Sequence, residues 1–237
     1  MTEAAHRAED DAGSGGENLE VMREAENYNL WLREQVRTHG IGATHVLDFG
    51  AGIGTFSDAA GVPHANVRCV EPDAASRTVL NDRGFAASAD LDDIEEQSID
   101  YAFTLNVLEH IEDDDDAVRR LYSKLRPGGR IFVYVPAFAC LFTSMDHHVG
   151  HVRRYRLPGL VALLEGAGFR IEQRGYADPL GFFATLLMKL FDSDEPAPLK
   201  PGLVRAYDRL AFPLSRLLTW PFSRVLGKNV YVVATRP

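Results

Sequence analysis

This sequence contains few cysteines and tryptophans and no excess of basic residues. Its 237 residues include two cysteines and two tryptophans, and 34 Asp+Glu outnumber 25 Lys+Arg, for a net charge of −9. Dedicated nucleic-acid binders usually carry a basic excess, so no nucleic-acid partner is expected. Cys69 and Cys140 lack metal-ligand spacing and cannot form a disulfide framework. We interpret both as buried thiols from a reducing compartment, and we expect no metal site.

Long apolar runs are also missing near the start of the chain. The first 26 residues are polar and offer no apolar signal-peptide core, so we expect a cytoplasmic protein. Residues 1–17 are acidic and predict a disordered tail ahead of a single domain over 18–237. The charge is uneven, because residues 1–149 sum to −15 and residues 150–237 to +6. The last third is therefore expected to attract anions.

Apolar segments alternate along the chain with helical patterns, which predicts an α/β fold. A helical pattern that follows the polar start predicts an N-terminal helix over Leu19–Arg37. Two apolar-faced helices, Asp178–Phe191 and Leu203–Leu218, are expected in an insertion over 177–228. Strands separated by helices of about 10–12 residues imply a doubly wound, mostly parallel sheet, and the last strand is expected to be antiparallel. The seven predicted strands are 45–49, 66–70, 85–87, 99–105, 130–135, 169–174 and 229–235.

A glycine-rich loop follows the first predicted strand. It reads D-x-G-x-G-x-G from Asp48 to Gly54, and we expect a helix around Thr55–Ala60. Such a loop either is a tight connection or brings backbone N–H groups close to a ligand. Glu71, at the end of the second strand, is placed to accept ribose hydroxyls. The spacing differs from the G-x-G-x-x-G of dinucleotide enzymes and Asp48 suits an ammonium, so a ribonucleoside with a cationic arm is favoured.

Four segments together resemble the motifs of class I S-adenosylmethionine-dependent methyltransferases: VLDFGAGIGTF, VEPD, SADLDDI and LNVLEHIEDDDDAVRRLYSKLRPGGRIFVYVP. The resemblance covers about residues 45–136 and implies a Rossmann-like fold that uses S-adenosylmethionine as its cofactor. It also implies cofactor roles by position. Asp48, Gly50, Gly52 and Gly54 would hold the methionine part, Glu71 the ribose hydroxyls, Asp90 with Leu91 the adenine edge, and Asn106 with Val107 the cofactor floor.

Two further segments, EAENYNLWL and DHHVGHVRRY, are similar to a bacterial methyltransferase subgroup often found beside polysaccharide and lipid-linked sugar genes. Tyr28 and Trp31 in the first segment are three residues apart and share one helix face. They could cover the cofactor as a lid, or they could be ordinary core aromatics. Both interpretations stay open at this stage.

The segment Met145–Arg156 concentrates residues suited to chemistry after the fifth strand, where open α/β sheets bind ligands. A neutral histidine can remove the proton of an oxygen nucleophile, and His148 and His151 are the candidates for this base. Arg153, Arg154 and Tyr155 are assigned to the substrate, because guanidinium groups suit phosphate or carboxylate. The alternative is an exposed polar loop whose arginines pair with acidic residues.

The two late helices are the other candidate substrate element. One helix face carries an apolar stripe that is expected to be buried: Phe183, Leu186, Leu187, Leu190 and Phe191. The second helix interleaves apolar residues with arginines, and neither helix can span a bilayer. They would either cap the active site or contact a lipid-linked substrate or an anionic membrane surface through 179–224, which places the protein at the inner face of the membrane.

The resulting hypothesis is a methyltransferase that acts on a small-molecule or lipid-linked acceptor, which is anionic or sugar-containing, at oxygen. Two alternatives remain at this stage. One is a nicotinamide-dependent oxidoreductase, against which the loop spacing argues. The other is a non-catalytic nucleoside-binding module that docks on a membrane-bound partner. The oligomeric state and the acceptor are not predicted.

Overall fold

A computed structural model of the chain describes residues 24–190 and 200–237. The predicted tail over residues 1–17 and the start of the predicted N-terminal helix lie outside these residues. The chain forms two compact units. The sheet unit consists of Leu32–Pro136, Tyr155–Gly175 and Val230–Pro237, and the helical unit of the described parts of Met1–Trp31, Ala137–Arg154 and Tyr176–Asn229. None of the described helices is long and apolar enough to cross a membrane.

Seven strands form one sheet with the order β3-β2-β1-β4-β5-β7-β6. Strands β1 to β5 pair in parallel, and the sheet is mixed because antiparallel pairing completes it. The strands are β1 Val46–Phe49, β2 Val67–Val70, β3 Ala86–Ser88, β4 Ile99–Leu105, β5 Leu125–Pro136, β6 Arg170–Ala177 and β7 Asn229–Thr235. The predicted α/β fold class is confirmed.

Eight α-helices are present among the described residues. Several start at a side-chain cap: Asp73 accepts a hydrogen bond from the Ser76 N–H, and Asp113 from the Asp116 N–H. The helices are α1 Glu26–His39, α2 Ala74–Asp82, α3 Asp114–Lys124, α4 Ser144–His148, α5 Leu157–Gly166, α6 Pro179–Lys189, α7 Pro201–Ala206 and α8 Phe212–Phe222.

The core of the sheet unit lies on the central parallel strands. Strand β1 sits between β2 and β4, so it is covered on both edges, and its Val46 and Leu47 are fully buried. Strand β4 is buried along most of its length, and its Tyr101 and Phe103 are among the largest enclosed side chains. Parallel strands covered on both faces are expected to be apolar throughout. The strand order reverses between β1 and β4, which places a ligand crevice at their carboxyl ends.

Two local predictions are corrected by the structure. Residues 52–60 form successive turns instead of the helix expected around Thr55–Ala60, and the glycines on either side of that segment, Gly54 and Gly61, have positive φ angles of 82° and 74°. The single helix expected over Leu203–Leu218 is divided by a π-helical turn, Tyr207–Ala211. Within this turn the buried Asp208 accepts the backbone N–H groups of Asn27 and Tyr28, and so caps the start of α1.

Two burial predictions also differ from the structure. Cys69 is buried as expected, but Cys140 is exposed, because it lies in a short turn whose buried residue is Leu141. The predicted stripe is exposed at its four described members, Phe183, Leu186, Leu187 and Leu190, and Phe191 lies outside the described residues. Helix α6 buries residues at its start, Pro179 and Gly181, and leaves the stripe at the surface.

Candidate functional site

The glycine loop is held tightly against the carboxyl end of β4. Gly50 has a φ of 79°, and its N–H donates to the Val70 carbonyl at 2.8 Å. A Cβ on Gly50 would lie 2.2 Å from Val107 Cγ2, which is too close for any side chain. A Cβ on Gly52 would meet nothing within 4 Å. The loop is therefore closed on the side of Gly50 and open at Gly52, where a ligand can approach the backbone.

Asp48 is a buried carboxylate at the end of β1. It is 4% exposed, and its Oδ2 accepts a hydrogen bond from the Ser57 hydroxyl at 2.7 Å. Burial raises the pKa of Asp48 to about 7, with the Ser57 hydrogen bond opposing the rise and the Glu71 carboxylate adding to it. Such a carboxylate gains from a cationic ligand group, because a positive charge would favour its ionised form.

Glu71 links the end of β2 to the glycine loop. Its Oε2 accepts the Gly52 N–H at 2.8 Å, and its Oε1 accepts the Asp73 N–H at 2.9 Å. Each carboxylate oxygen has a second lone pair, so both can accept a further hydrogen bond from a hydroxyl. Glu71 is thus oriented by two backbone groups at the position predicted for ribose recognition.

The residues predicted for the adenine edge and the cofactor floor also lie on turns at strand ends. Leu91 is buried, whereas Asp90 is an exposed cap that accepts the Asp92 N–H at 2.9 Å and pairs with Arg120. The hydrogen bond from Arg120 lowers the pKa of Asp90. Asn106 has a φ of 55°, a left-handed conformation that is uncommon outside glycine and is often found at functional sites.

In the helical unit, Asp146 holds the segment that contains the two candidate bases, His148 and His151. It is 2% exposed, and the N–H and hydroxyl of Thr143 both donate to its Oδ2 at the start of α4. Its Oδ1 lies 2.6 Å from Nδ1 of His151. Burial alone would raise the pKa of Asp146, but hydrogen bonds from His151 and Arg154 outweigh it and hold the pKa well below its usual value. The carboxyl group is therefore ionised and acts as an acceptor.

The two candidate bases have different surroundings. Because Asp146 is an acceptor, His151 donates from Nδ1, and in its neutral form Nε2 carries the lone pair. A carboxylate that orients an imidazole in this way is a recurring arrangement for a general base. His148 lies exposed at the end of α4, and none of the described hydrogen bonds orients it. The geometry favours His151.

The predicted substrate residues are distributed over both units. In the helical unit Arg154 contacts Asp146 through Nε at 2.8 Å and Nη2 at 2.9 Å, a two-point pairing that neutralises its charge. Arg153 is half-buried. In the sheet unit the hydroxyl of the buried Tyr155 donates a hydrogen bond to Asp114 Oδ2 at 2.6 Å. The Tyr155 hydroxyl oxygen also lies 3.1 Å from the Leu108 carbonyl oxygen.

Tyr28 and Trp31 belong to an aromatic cluster in the helical unit. Their ring centroids are 6.4 Å apart, and the ring of Phe212 meets both edge-on, at 5.5 Å from Tyr28 and 6.0 Å from Trp31. Both side chains are half-buried. The cluster accounts for the packing of the two rings, and their predicted role as a cofactor lid stays a prediction.

Two residues of these surroundings were missed by the sequence reasoning. Ser57 lies nine residues after Asp48, and its hydroxyl reaches back to that carboxylate. A serine in a predicted surface helix gives no sign of such a contact. Lys228 exchanges backbone hydrogen bonds with Ala137 and Asp178, and only the tertiary structure shows this, because these residues come from distant parts of the chain.

The family model described as "Methyltransferase domain" matches residues 12–174 of the chain. Among curated proteins, two uncharacterized proteins of Mycobacterium tuberculosis, from strains CDC 1551 and H37Rv, are each 28% identical over 149 residues. The match covers 54% of this chain and 50% of each relative, so the chain spans about half the length of these proteins.

Solved structures share the fold at low sequence identity. A Thermotoga maritima structure, described as an SAM-dependent methyltransferase and possible histamine N-methyltransferase, has a TM-score of 0.64 and 16% identity, covering 94% of this chain and 95% of its own. A Mesorhizobium loti S-adenosylmethionine-dependent methyltransferase has a TM-score of 0.56 at 17% identity, covering 86% and 96%. Haemonchus contortus phosphoethanolamine N-methyltransferase 2, in complex with S-adenosyl-L-methionine, has a TM-score of 0.56 at 20% identity, covering 90% and 53%.

The two glycines give a first prediction. Gly50→Ala places its Cβ against Val107 and should lower the free energy of unfolding by roughly 2–4 kcal/mol, from overpacking plus the positive φ. Gly52→Ala meets no atom and should cost about 1 kcal/mol, from its φ alone. Urea denaturation measures both. Adding Val107→Ala to Gly50→Ala should restore part of the loss, and equal losses for the two single variants would contradict the packing.

Asp48 predicts a pH dependence of stability. Because its folded-state pKa is raised from 3.8 to about 7, the folded chain holds this proton more tightly than the unfolded chain. Protonation therefore stabilises the fold at low pH, and this contribution, at most about 4 kcal/mol, is lost as pH rises from about 4 through 7. Asp48→Asn removes the dependence, so its stability relative to the wild type should increase between pH 4 and pH 8.

Thermal denaturation across this pH range measures the difference between variant and wild type. Asp93→Asn, which removes one charge from an exposed position in the same unit, is the matched control. A difference between Asp48→Asn and the wild type that stays constant over the whole range would show that burial does not raise the pKa of Asp48.

Proposed function

We propose that this chain methylates an oxygen of a small-molecule or lipid-linked anionic acceptor. The premise is that the chain belongs to the family of methyltransferase domains and is an S-adenosylmethionine-dependent methyltransferase. When bound, the cofactor supplies an activated methyl group on a sulfonium. The observation that supports an oxygen acceptor best is the His151–Asp146 pair in the helical unit, because a hydroxyl is a poor nucleophile until its proton is removed.

The cofactor residues proposed in the sheet unit fit the chemistry of S-adenosylmethionine. The buried Asp48 would face the ammonium of the methionine part, directly or through water, and the open face at Gly52 leaves room for the ligand. Glu71 is already oriented by two N–H groups and would accept the ribose hydroxyls. The turn of Asp90 and Leu91 would border the adenine.

Two further groups complete this proposal for the cofactor. Asn106 and Val107 would line the cofactor floor, since Val107 packs on the glycine loop and Asn106 adopts a strained conformation beside it. Tyr28 and Trp31 would cover the cofactor, a role that their half-buried rings allow. Gly50 and Gly54 shape the loop.

The role proposed for His151 is that of a general base. The acceptor O–H bond would break as the oxygen bonds to the methyl carbon, and Nε2 of His151 would take the proton while the carbon–sulfur electron pair leaves with sulfur. Asp146 would hold the ring and stabilise the imidazolium that forms, as a buried carboxylate does. The rest of the rate enhancement would come from alignment and exclusion of water.

Arg153 is the proposed contact for an acceptor anion in this loop. Arg154 is less suited, because Asp146 already holds its guanidinium at two points. A guanidinium next to the proposed base would orient a phosphate or carboxylate on the acceptor. Tyr155 would act on the substrate indirectly, by fixing the chain that follows Arg154.

A labelled-methyl assay tests the proposal. The full chain is incubated with cofactor labelled on its methyl group and a cell extract, and lipid and aqueous products are separated and identified. His151→Asn keeps an N–H donor for Asp146 but cannot act as a base, so turnover should fall about 10²–10⁴-fold. Affinity for S-adenosylmethionine, measured by calorimetry, should stay within about twofold because the cofactor residues are unchanged.

His148→Asn is the matched control and should leave turnover near the wild-type value. Unchanged turnover in His151→Asn would remove this residue from the base role. A folded wild-type chain that binds the cofactor but labels no product would favour the alternative of a non-catalytic binding module. A product methylated at nitrogen or carbon would contradict the oxygen assignment.

The exposed stripe supports the proposal that the acceptor is reached at a membrane surface. We define the docking face as the exposed apolar residues of α6, α7 and α8 and their connections. Its members are Phe183, Leu186, Leu187, Met188, Leu190, Leu203, Leu210, Leu214, Leu217, Trp220, Phe222 and Val225. An exposed apolar set of this size in one unit usually marks an interaction site.

The charged side chains around the docking face indicate which partner would cover it. Within the described residues of 179–190 and 200–227, the single acidic side chain is Asp208, which is buried. The basic side chains are Lys189, Lys200, Arg205, Arg209, Arg216 and Arg224. Basic residues interleaved with apolar ones are complementary to an anionic lipid surface, where the apolar side chains insert and the charges face the headgroups. The proposed occupant is therefore an anionic bilayer at the inner face of the membrane.

Vesicle sedimentation tests this docking. The wild type should bind vesicles of 70% phosphatidylcholine and 30% phosphatidylglycerol more tightly than pure phosphatidylcholine, because basic residues add to the apolar contact. Leu217→Ser combined with Trp220→Ser removes two of the most exposed members, at 75% and 87%, and should weaken binding at least about tenfold. Ile41→Ser with Val79→Ser, exposed in the sheet unit, is the matched control and should not change it.

Equal loss in the control pair, or no vesicle binding by the wild type, would contradict the membrane assignment. Size-exclusion chromatography is run alongside. If the wild type is a dimer that the Leu217→Ser and Trp220→Ser changes dissociate, a second copy of the chain covers the docking face instead.

A further inference from the structure

Lys228 occupies a special position in the helical unit. Its N–H donates to the Asp178 carbonyl at 2.9 Å, and its carbonyl accepts the Ala137 N–H at 2.9 Å. Ala137 directly follows β5, Asp178 directly follows β6, and Lys228 directly precedes β7. The backbone of Lys228 is thus fixed between the residues that follow β5 and β6.

The ammonium of Lys228 has no partner within the described part of the chain. Its Nζ makes none of the hydrogen bonds or ion pairs found there, although the side chain is half-buried. Burial lowers the pKa of Lys228, with Asp178 and Asp146 opposing the shift and Arg154 adding to it. A half-buried ammonium keeps only part of its hydration, so an anionic partner from outside the chain that adds charge-assisted hydrogen bonds would stabilise it.

The two neighbouring carboxylates are already engaged by other donors. Asp178 Oδ1 accepts the Gly181 N–H at 3.0 Å and the hydroxyls of Tyr207 and Ser215, each at 2.6 Å. Asp146 holds the guanidinium of Arg154 and the ring of His151, as described above. Neither carboxylate reaches Lys228 Nζ as an ion pair within 4 Å. These two carboxylates stabilise the charge of Lys228 electrostatically, but they accept no hydrogen bond from its Nζ.

The backbone beside Lys228 is strained on both sides. Phe138 and Asp178 each have a φ of 59°, a left-handed conformation that is unusual for a bulky aromatic residue. The Phe138 ring stacks on Tyr176, with ring centroids 4.7 Å apart. Strain of this kind persists where surrounding structure enforces it, and it is concentrated at ligand sites. The strained turns flank the backbone of Lys228.

We propose that Lys228 binds an oxyanion of the methyl acceptor, a phosphate or a carboxylate. This inference rests on the proposed transfer to an anionic acceptor and names a residue that contacts it. Lys228 and Arg154 are joined through one residue, because the Arg154 Nη1 donates to the Ala137 carbonyl at 3.3 Å and the Ala137 N–H donates to the Lys228 carbonyl. Arg154 in turn contacts Asp146, which holds His151. The oxyanion would therefore be bound in the same part of the helical unit as the proposed base.

Anion binding is measured first, without the cofactor. Inorganic phosphate and sodium acetate are titrated separately into the full chain at constant ionic strength, and the melting temperature is followed. Phosphate or acetate should raise the melting temperature of the wild type, and the anion that acts at lower concentration identifies the oxyanion. Lys228→Met should weaken the response at least about fivefold, and Lys228→Arg should retain it. Lys200→Met, which removes one exposed lysine of the same unit, is the matched control.

Stability separates this role from a structural one. If Lys228 is an unpartnered charge, Lys228→Met should leave the melting temperature without added anion unchanged or raise it. A lowered melting temperature, or a failure to fold, would show that Lys228 is a structural counter-ion of Asp178 and would overturn the proposal. An undiminished response to both anions in Lys228→Met would overturn it as well.

The source of the oxyanion is tested with the cofactor, which carries a carboxylate of its own. Affinity for S-adenosylmethionine should be the same in Lys228→Met and the wild type, while formation of labelled product should fall at least about tenfold. A loss of cofactor affinity would assign Lys228 to the cofactor and overturn the acceptor role. If the wild type forms no labelled product, the proposed function fails, but the anion titration still reports on Lys228.

Discussion

The contact between Gly50 and Val107 is the constraint on which the sheet unit depends at its carboxyl edge. With 2.2 Å between a built Cβ and the valine methyl, a hydrogen atom is the largest substituent that fits. This approach joins the loop after β1 to the turn after β4, at the point where the strand order reverses. Asp48 and Glu71 are positioned as a consequence, one by the buried strand and the other by the N–H of Gly52. Backbone packing thus brings the carboxylates of Asp48 and Glu71 to the glycine loop, which is open to a ligand at Gly52.

Much of this edge could be predicted from the sequence, because its determinants are local. Glycines at alternate positions after an apolar run, and an acid at the end of the next run, depend on strand and turn chemistry within about 25 residues. The fold class follows from the alternation of apolar segments with helical patterns, whereas the strand order, with β7 between β5 and β6, was not predicted. The helix expected around Thr55–Ala60 was wrong, and the glycines that bound this segment, Gly54 and Gly61, lie at positive φ, outside the right-handed helical region.

The helical unit was harder to predict because its contacts join distant segments. Asp208 caps a helix about 180 residues away in the chain, and Asp178 gathers hydroxyls from Tyr207 and Ser215. Helical periodicity showed that Phe183 and Leu187 share a face but could not show whether another element covers it. The structure leaves that face exposed, so the amphipathic pattern here does not mark the core. Lys228 carried no local signal at all.

The different surroundings of the ionisable groups also bear on the acceptor. In the sheet unit burial raises the pKa of Asp48, and in the helical unit burial lowers the pKa of Lys228, so a cation would favour the ionised form of the first group and an anion that of the second. A neutral amine attacks a methyl group with its own lone pair and loses its proton afterwards, so it needs little from an oriented base. A hydroxyl needs proton removal as the bond forms. We therefore infer that a histidine held by an ionised, buried aspartate is better explained by an anionic hydroxyl acceptor than by the amines named for the structural neighbours.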